Sequence, residues 1–257
     1  MKIILSRKGF DSANGGCASP ILPDGTMISL PIPSDDPKTY ADYGLAERLE
    51  KLKPAKGEPW ATQHCHFDPD LERGAFGQAG AAATHLSNQG VKATHLSKQG
   101  VEDAFGLFLF FGWFRRVDDN YRYYGPDMHV IYGWMLADRV LTEQKEIADN
   151  YAWHPHAHPY VDGTARKNNR LYLASEYGTL KYHKGLVLTE SGKSRSRWKL
   201  LPWMEQAQIS HHSEKSIHKD EKDKGYFQSA AIGQEFVVQD NPDAETWALE
   251  LIKKPTR

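Results

Sequence analysis

The segment Gln63-His64-Cys65-His66-Phe67-Asp68-Pro69-Asp70 holds the densest mix of imidazole and carboxylate in the chain. In an extended backbone, residues at i, i+2 and i+4 point to one side, so His66, Asp68 and Asp70 are expected to converge. Two carboxylates and an imidazole at that spacing can hold a divalent metal ion, with Asp68 and Asp70 as the ligands, or supply a base that activates water. The plainer alternative is a turn in which Asp68 caps backbone N–H groups. A second candidate stretch follows the apolar run at the amino end: Ser6-Arg7-Lys8-Gly9-Phe10-Asp11-Ser12 and then Gly15-Gly16. Cations, a carboxylate and paired glycines at a strand's carboxyl end suit ligand binding in an α/β arrangement. Arg7, Lys8, Gly15 and Gly16 are the candidate phosphate-binding residues, because such glycines let backbone N–H groups cradle an anion. Asp11 is a candidate catalytic acid or base. His211, beside His212, is a candidate proton carrier, since histidine titrates near neutral pH.

Aromatic and basic residues make a third constellation. Trp113, Arg115, Arg195, Arg197 and Trp203 are the candidate nucleic-acid contacts: cations fix phosphates and indoles stack on bases. A tryptophan core with a solvated basic rim is the competing explanation. The tract His154-Pro155-His156-Ala157-His158-Pro159 has a metal-like composition, but its prolines and flanking aromatics read as a surface loop. Walker, Gly-x-Gly-x-x-Gly, Gly-x-Ser-x-Gly and zinc-ribbon patterns are absent from the sequence.

These residues need a scaffold. The apolar stretches at 106–114 and 129–137 read as paired central strands, and 169–175, 185–188 and 234–239 as further strands. Residues 27–32 are expected to form a second strand after the Pro-Asp-Gly turn at 23–25. Helices are expected at 40–52 and 244–253. Ala83-Thr84-His85-Leu86-Ser87 recurs as Ala93-Thr94-His95-Leu96-Ser97, a tandem duplication over 83–102 that lengthens a loop or helix; two copies do not build a solenoid. The expected fold is one α+β domain over 1–257, with a central mixed, largely antiparallel sheet flanked by helices and with closure into a barrel as a variant.

Composition narrows the class. The chain has 257 residues, 40% hydrophobic and 25% charged, with a formal net charge of −1. That is ordinary for a globular protein and argues against wholesale electrostatic binding of nucleic acid. No run approaches the roughly 18 apolar residues of a membrane span, so no membrane partner and a cytoplasmic location are expected. Two widely separated cysteines, Cys17 and Cys65, do not make a disulfide framework.

Several phrases in order along the chain carry a family likeness. They are Ser6-Arg7-Lys8-Gly9-Phe10-Asp11-Ser12, Pro31-Ile32-Pro33, His66-Phe67-Asp68-Pro69-Asp70-Leu71, Phe108-Leu109-Phe110-Phe111-Gly112-Trp113-Phe114, Trp198-Lys199-Leu200 and Gly233-Gln234-Glu235-Phe236-Val237. Together they resemble the third of the families called nucleotide modification associated domains; the duplicated segment and His64-Cys65 read as departures from that pattern. The resemblance implies a role in making, reading or removing modified bases, with a nucleotide or modified DNA as partner, alongside other modification-system proteins. It does not supply a reaction. Three functions follow as expectations: an enzyme of hydrolase or transferase type acting on a nucleobase or nucleotide, a non-catalytic reader with an aromatic pocket, or an interaction subunit of a modification or defence complex.

Overall fold

The structure, a computed structural model, describes residues 1–91, 106–158, 160–161, 164–210, 216–220, 223–230 and 233–253. Its centre is an eight-stranded sheet built from β1 (Ile3–Arg7), β2 (Ser19–Ile21), β3 (Ala75–Gln78), β4 (Gly106–Val117), β5 (Tyr123–Leu141), β6 (Arg170–Thr179), β7 (Gln208–Ile209) and β8 (Glu235–Val238). The order is β7-β8-β1-β4-β5-β6-β3. The sheet is mixed and largely antiparallel, with β1 and β2 the two strands that pair in parallel, both along one edge of β4. It is open, ending at β7 and β3, and does not close into a barrel. Helices α1 (Ala46–Leu52), α2 (Gly80–Asn88), α3 (Gln144–Asn150) and α4 (Pro242–Lys253) complete the α+β fold.

The apolar runs explain the centre. Ile3, Ile4 and Leu5 of β1 and Leu107 to Phe111 of β4 are fully buried, as expected of strands covered on both faces. One face stacks Phe76, Phe108, Phe110 and Tyr172. The other gathers Phe111, Trp198, Phe227 and Phe236, and a small sheet of Arg197–Lys199, Asp223–Gln228 and Ile217–Asp220 lies over it. Each such side chain removed from water stabilises the fold by roughly 1.5–3 kcal/mol.

Between β1 and β2 the chain leaves the sheet as the loop 8–18 and then rejoins the same edge of β4. Phe10 leads this excursion into a satellite core with Tyr40, Leu49, Trp60 and Cys65. A third cluster joins Ala75, Leu141, Ile147, Ala157 and Leu171, docking α3 and the 3₁₀ turn Pro155–Ala157 beside β3 and β6.

Some sequence expectations differ from what forms. Residues 27–32 are not a continuous strand: Met27 makes a single bridge to Ile21, and Ile32–Pro33 pairs with Cys65–His66 instead. The stretch expected as a strand at 185–188 begins as the 3₁₀ turn Lys184–Leu186. The first duplicated unit falls at the end of α2, and the second lies outside the described residues. Among the described residues no helix is long and apolar enough to cross a membrane. Cys17 and Cys65 are buried free thiols.

Candidate functional site

Strand alternation decides where the charges at the end of β1 go. Successive side chains face opposite sides of a sheet, so Lys8 follows Ser6 to one face while Arg7 serves the other. Lys8 Nζ lies 3.4 Å from Asp68 Oδ2 and 4.3 Å from the centre of the Phe76 ring. The Asp68 side chain is fully buried. Its Oδ1 accepts the Gly77 backbone N–H at 2.7 Å and lies 3.3 Å from His154 Nε2, while Oδ2 lies 3.9 Å from His66 Nε2. Burial alone would raise this carboxyl, but the Lys8 ammonium and then His154 outweigh it and hold it below the usual carboxylate range.

Each histidine around Asp68 is oriented from behind. His66 Nδ1 lies 2.6 Å from Asp36 Oδ2, and Asp36 is itself fixed by Arg166 Nη2 at 2.7 Å and Ser34 Oγ at 2.9 Å. With Nδ1–H donated to that carboxylate, His66 turns its Nε2 edge towards Asp68. His156 Nδ1 lies 2.6 Å from Asn169 Oδ1. The Asn169 amide donates to Gln144 Oε1 and to the His156 carbonyl, so its oxygen is the end facing the imidazole. His156 therefore also donates through Nδ1 and exposes an Nε2 lone pair, and burial keeps its ring neutral. His154 Nδ1 accepts the His156 backbone N–H at 3.1 Å, so its proton sits on the buried Nε2, which points at Asp68 Oδ1. One ligand atom each of His66, Asp68 and His156 lies within 4.8 Å of the others. Such a centre can accept protons or coordinate a cation.

Two features border this centre. Glu235 is paired in register with Ser6. Its Oε1 accepts Ser6 Oγ at 3.0 Å and Gln78 Nε2 at 2.7 Å, and its Oε2 is buried without a partner. Burial pushes the Glu235 carboxyl up to about 7 against the attraction of Lys8. A cleft of about 360 Å³ reaches Asp68 and is lined by Ser29, Tyr43, Phe67, Pro69 and Tyr132. Tyr43 and Phe67 stack there at 4.1 Å.

Arg7 faces a different recess, a cavity of about 790 Å³ shared with Ser12, Trp113, Asp127, His129 and Arg195. Arg7 Nη1 donates to the Ala230 carbonyl at 2.8 Å. The Arg195 guanidinium lies 3.9 Å over the Trp113 ring and donates to Ser12 Oγ at 2.7 Å. His129 Nδ1 accepts the Trp198 indole N–H at 2.9 Å, so its proton sits on Nε2, which is buried and unpartnered. Burial, then Arg7 and Arg195, push His129 far below its ordinary value and keep it neutral. The recess thus combines two guanidinium groups and an indole, with the neutral His129 ring buried behind them, a set suited to phosphate beside a planar ring.

The family model described as nucleotide modification associated domain 3 matches residues 2–239. The chain belongs to that family. No curated protein and no solved structure matches it. The matched span of this nucleotide modification associated domain contains every residue of both recesses and stops short of α4.

Within the domain, the residues singled out by sequence fall into distinct settings. Lys8, His66 and Asp68 come together, and Arg7, Trp113 and Arg195 come together from more than 80 residues apart in sequence. Asp70 does not join His66 and Asp68. The chain is not extended there: the Asp68 N–H turns back to the His66 carbonyl, and Asp70 caps the N–H groups of Glu72 and Arg73 while pairing with the Arg73 guanidinium. Asp11 similarly caps Ala13 and Asn14 in its own turn, although its charge reaches Arg7 and Arg195. Gly15 has φ +83° and a Cβ there would lie 2.2 Å from the Phe10 ring, so it makes room for Phe10; Lys53 takes its carbonyl. Gly16, at φ +68°, adjoins the same lysine.

Arg115 lies over Tyr123, and Arg197 pairs with Glu190 beneath Tyr226. Trp203 is 1% exposed and packs on Trp247 of α4, so its ring offers no face for a base. His211 lies outside the described residues. The tract at 154–158 differs from the surface loop expected: His154 and His156 are buried, because Pro155 opens a 3₁₀ turn that aims both rings inward. Asp36, Arg166, Asn169 and His129 carry no local motif, and Glu235 stands in a family phrase that points to no role for it; the alternating histidines were the one signal for this half of the centre.

Proposed function

We propose that the protein is an enzyme acting on a nucleobase or nucleotide in DNA, with phosphate held by Arg7 and Arg195 and the reaction run at the His66–Asp68–His156 centre. The observation that carries this reading is the split at the end of β1. Consecutive residues feed a cationic, indole-lined recess and a buried histidine–carboxylate centre with an aromatic cleft beside it. Enzymes that work on an extruded base need a phosphate grip and a base pocket, and the cationic recess and the aromatic cleft offer one of each. A hydrolase or transferase step fits oriented imidazole lone pairs beside a carboxylate. The family's association with nucleotide modification supports a nucleotide or modified DNA as the partner class.

A reader is the second reading, favoured by the Trp113–Arg195 recess, which holds no activated nucleophile. The test is nucleoside mass analysis of modified and plain DNA after incubation with the protein. Altered nucleosides from wild type, lost in Asp68→Asn while DNA binding persists, support the enzyme. Arg195→Ala should weaken that binding about tenfold or more. Selective binding to modified DNA with no product from a broad substrate panel supports the reader and removes the enzyme.

A further inference from the structure

We infer that His66, Asp68 and His156 form a binding site for one first-row divalent transition-metal ion, of the kind that imidazole holds well, such as zinc or iron(II). The inference deepens the enzyme reading and rests on it only for what the ion does, not for whether it binds.

Three independent features converge. First, the donor set is two imidazole nitrogens and one carboxylate oxygen within 4.8 Å of one another, the set found in catalytic sites that keep coordination positions open. Ligands about 2.1 Å from a shared ion lie no more than about 4.2 Å apart, so a small side-chain rotation closes this one. Second, the supporting shell is already built. The Asp36 carboxylate fixes His66 through Nδ1 at 2.6 Å, and the Asn169 amide fixes His156 through Nδ1 at 2.6 Å. Both tautomers thereby present Nε2, as metal-ligating histidines do. Third, the carboxylate ligand is itself oriented. Asp68 Oδ1 accepts the Gly77 backbone N–H at 2.7 Å, and His154, whose Nδ1 accepts the His156 backbone N–H, turns its Nε2–H to the same oxygen at 3.3 Å. Oδ2 is the oxygen that faces His66 Nε2.

Packing admits this arrangement only because residue 77 is glycine. A Cβ there would lie 2.1 Å from His156 Cδ2 and 2.6 Å from its Nε2. Lys8 narrows the choice of ion. Its ammonium, 3.4 Å from Asp68 Oδ2, opposes added positive charge, so an ion held mainly by charge and oxygen, such as magnesium or calcium, is disfavoured. An ion held by imidazole nitrogen tolerates it. The cleft past Phe67 and Tyr132 reaches Asp68, and the His66 side chain is 17% exposed.

The test is titration of chelator-treated full-length protein with zinc, cobalt(II) and magnesium, followed by calorimetry, cobalt absorption and metal analysis of the reloaded protein. One equivalent of zinc or cobalt with no magnesium binding is the expected result. Asn169→Ala and Asp36→Asn, which leave the ligands in place, should weaken zinc binding about 10–100-fold. His156→Ala should weaken it further, and Asp70→Asn should leave it within about twofold. Absence of stoichiometric zinc or cobalt binding to the wild-type protein overturns the inference, as does His156→Ala binding equal to wild type. Nucleoside product formed undiminished with excess chelator overturns a role for the ion in the reaction and leaves the enzyme reading standing. Tight zinc binding without any product leaves the metal site standing and overturns the enzyme reading.

Discussion

The Trp198 indole donates to His129 Nδ1 at 2.9 Å, and both side chains are buried. This one hydrogen bond decides which nitrogen of His129 carries the proton. The imidazole borders the Arg7–Arg195 recess as a buried, neutral ring with its proton on Nε2, so that nitrogen sets no lone pair against an anion held by the two guanidinium groups.

Trp198→Phe therefore should lower nucleotide affinity without touching the recess directly. A net hydrogen bond is worth about 0.5–1.5 kcal/mol, so the expected loss is about 3- to 10-fold in Kd by titration calorimetry. The variant also loses packing against Phe111, Phe227 and Phe236. Trp203→Phe is the control: it costs packing against Trp247 and should leave affinity unchanged. Equal nucleotide affinity in both variants would remove the tautomer argument.

Substitutions at the two consecutive cations should separate by kind. Lys8→Met strips the nearby ammonium from the fully buried Asp68 carboxylate, and removing one partner of a buried pair costs about 3–5 kcal/mol. Urea unfolding should show it. Arg7→Met should fall chiefly on nucleotide binding, because Arg7 faces the opposite recess. A larger stability loss from Arg7→Met than from Lys8→Met would contradict this division of labour.

Glu235 gives a signed pH dependence. Its carboxyl is raised from 4.5 to about 7, so the folded protein keeps this proton to higher pH than the unfolded chain does. The contribution is complete below about pH 4.5 and is lost as pH rises through about 7, amounting to about 3 kcal/mol at 1.36 kcal/mol per unit. Glu235→Gln keeps an acceptor for Ser6 and Gln78 and cannot ionise. Its urea midpoint should change less between about pH 5 and pH 8 than that of wild type, which should fall. Parallel pH profiles would show that Glu235 does not titrate in this window.

What could be read in the sequence was whatever local pattern determines. The run at 106–114 and its partner at 129–137 pair as expected, with Trp113 opposite His129, because continuous apolar stretches have few places to go. The cations ending β1 and the His66–Asp68 pair were visible for the same reason. Asp70 was misplaced by assuming an extended chain where the backbone turns. Asp36 reaches His66 across 30 residues and Asn169 reaches His156 across 13; the first contact is set by the pairing of Ile32–Pro33 with Cys65–His66 and the second by how the 3₁₀ turn docks beside β6, which no spacing rule encodes. The same holds for His129, an imidazole in an apolar strand whose role depends on an indole 69 residues away.

Gly77 tests whether that docking tolerates any slack. Its backbone N–H binds Asp68 Oδ1 at 2.7 Å, while a Cβ on it would lie 2.1–2.6 Å from three atoms of the His156 ring. The ring cannot retreat freely, since Nδ1 is tied to Asn169, and the backbone cannot shift without lengthening the Asp68 contact. Gly77→Ala should therefore cost about 1–3 kcal/mol as an overpacked core site and should also displace His156 Nε2 from Asp68. Gly57→Ala, where a Cβ meets nothing within 4 Å, should stay within about 0.5 kcal/mol of wild type. Thermal unfolding of the pair measures the difference, and indistinguishable melting of Gly77→Ala and wild type would mean that the His156 ring is not held where the centre requires it.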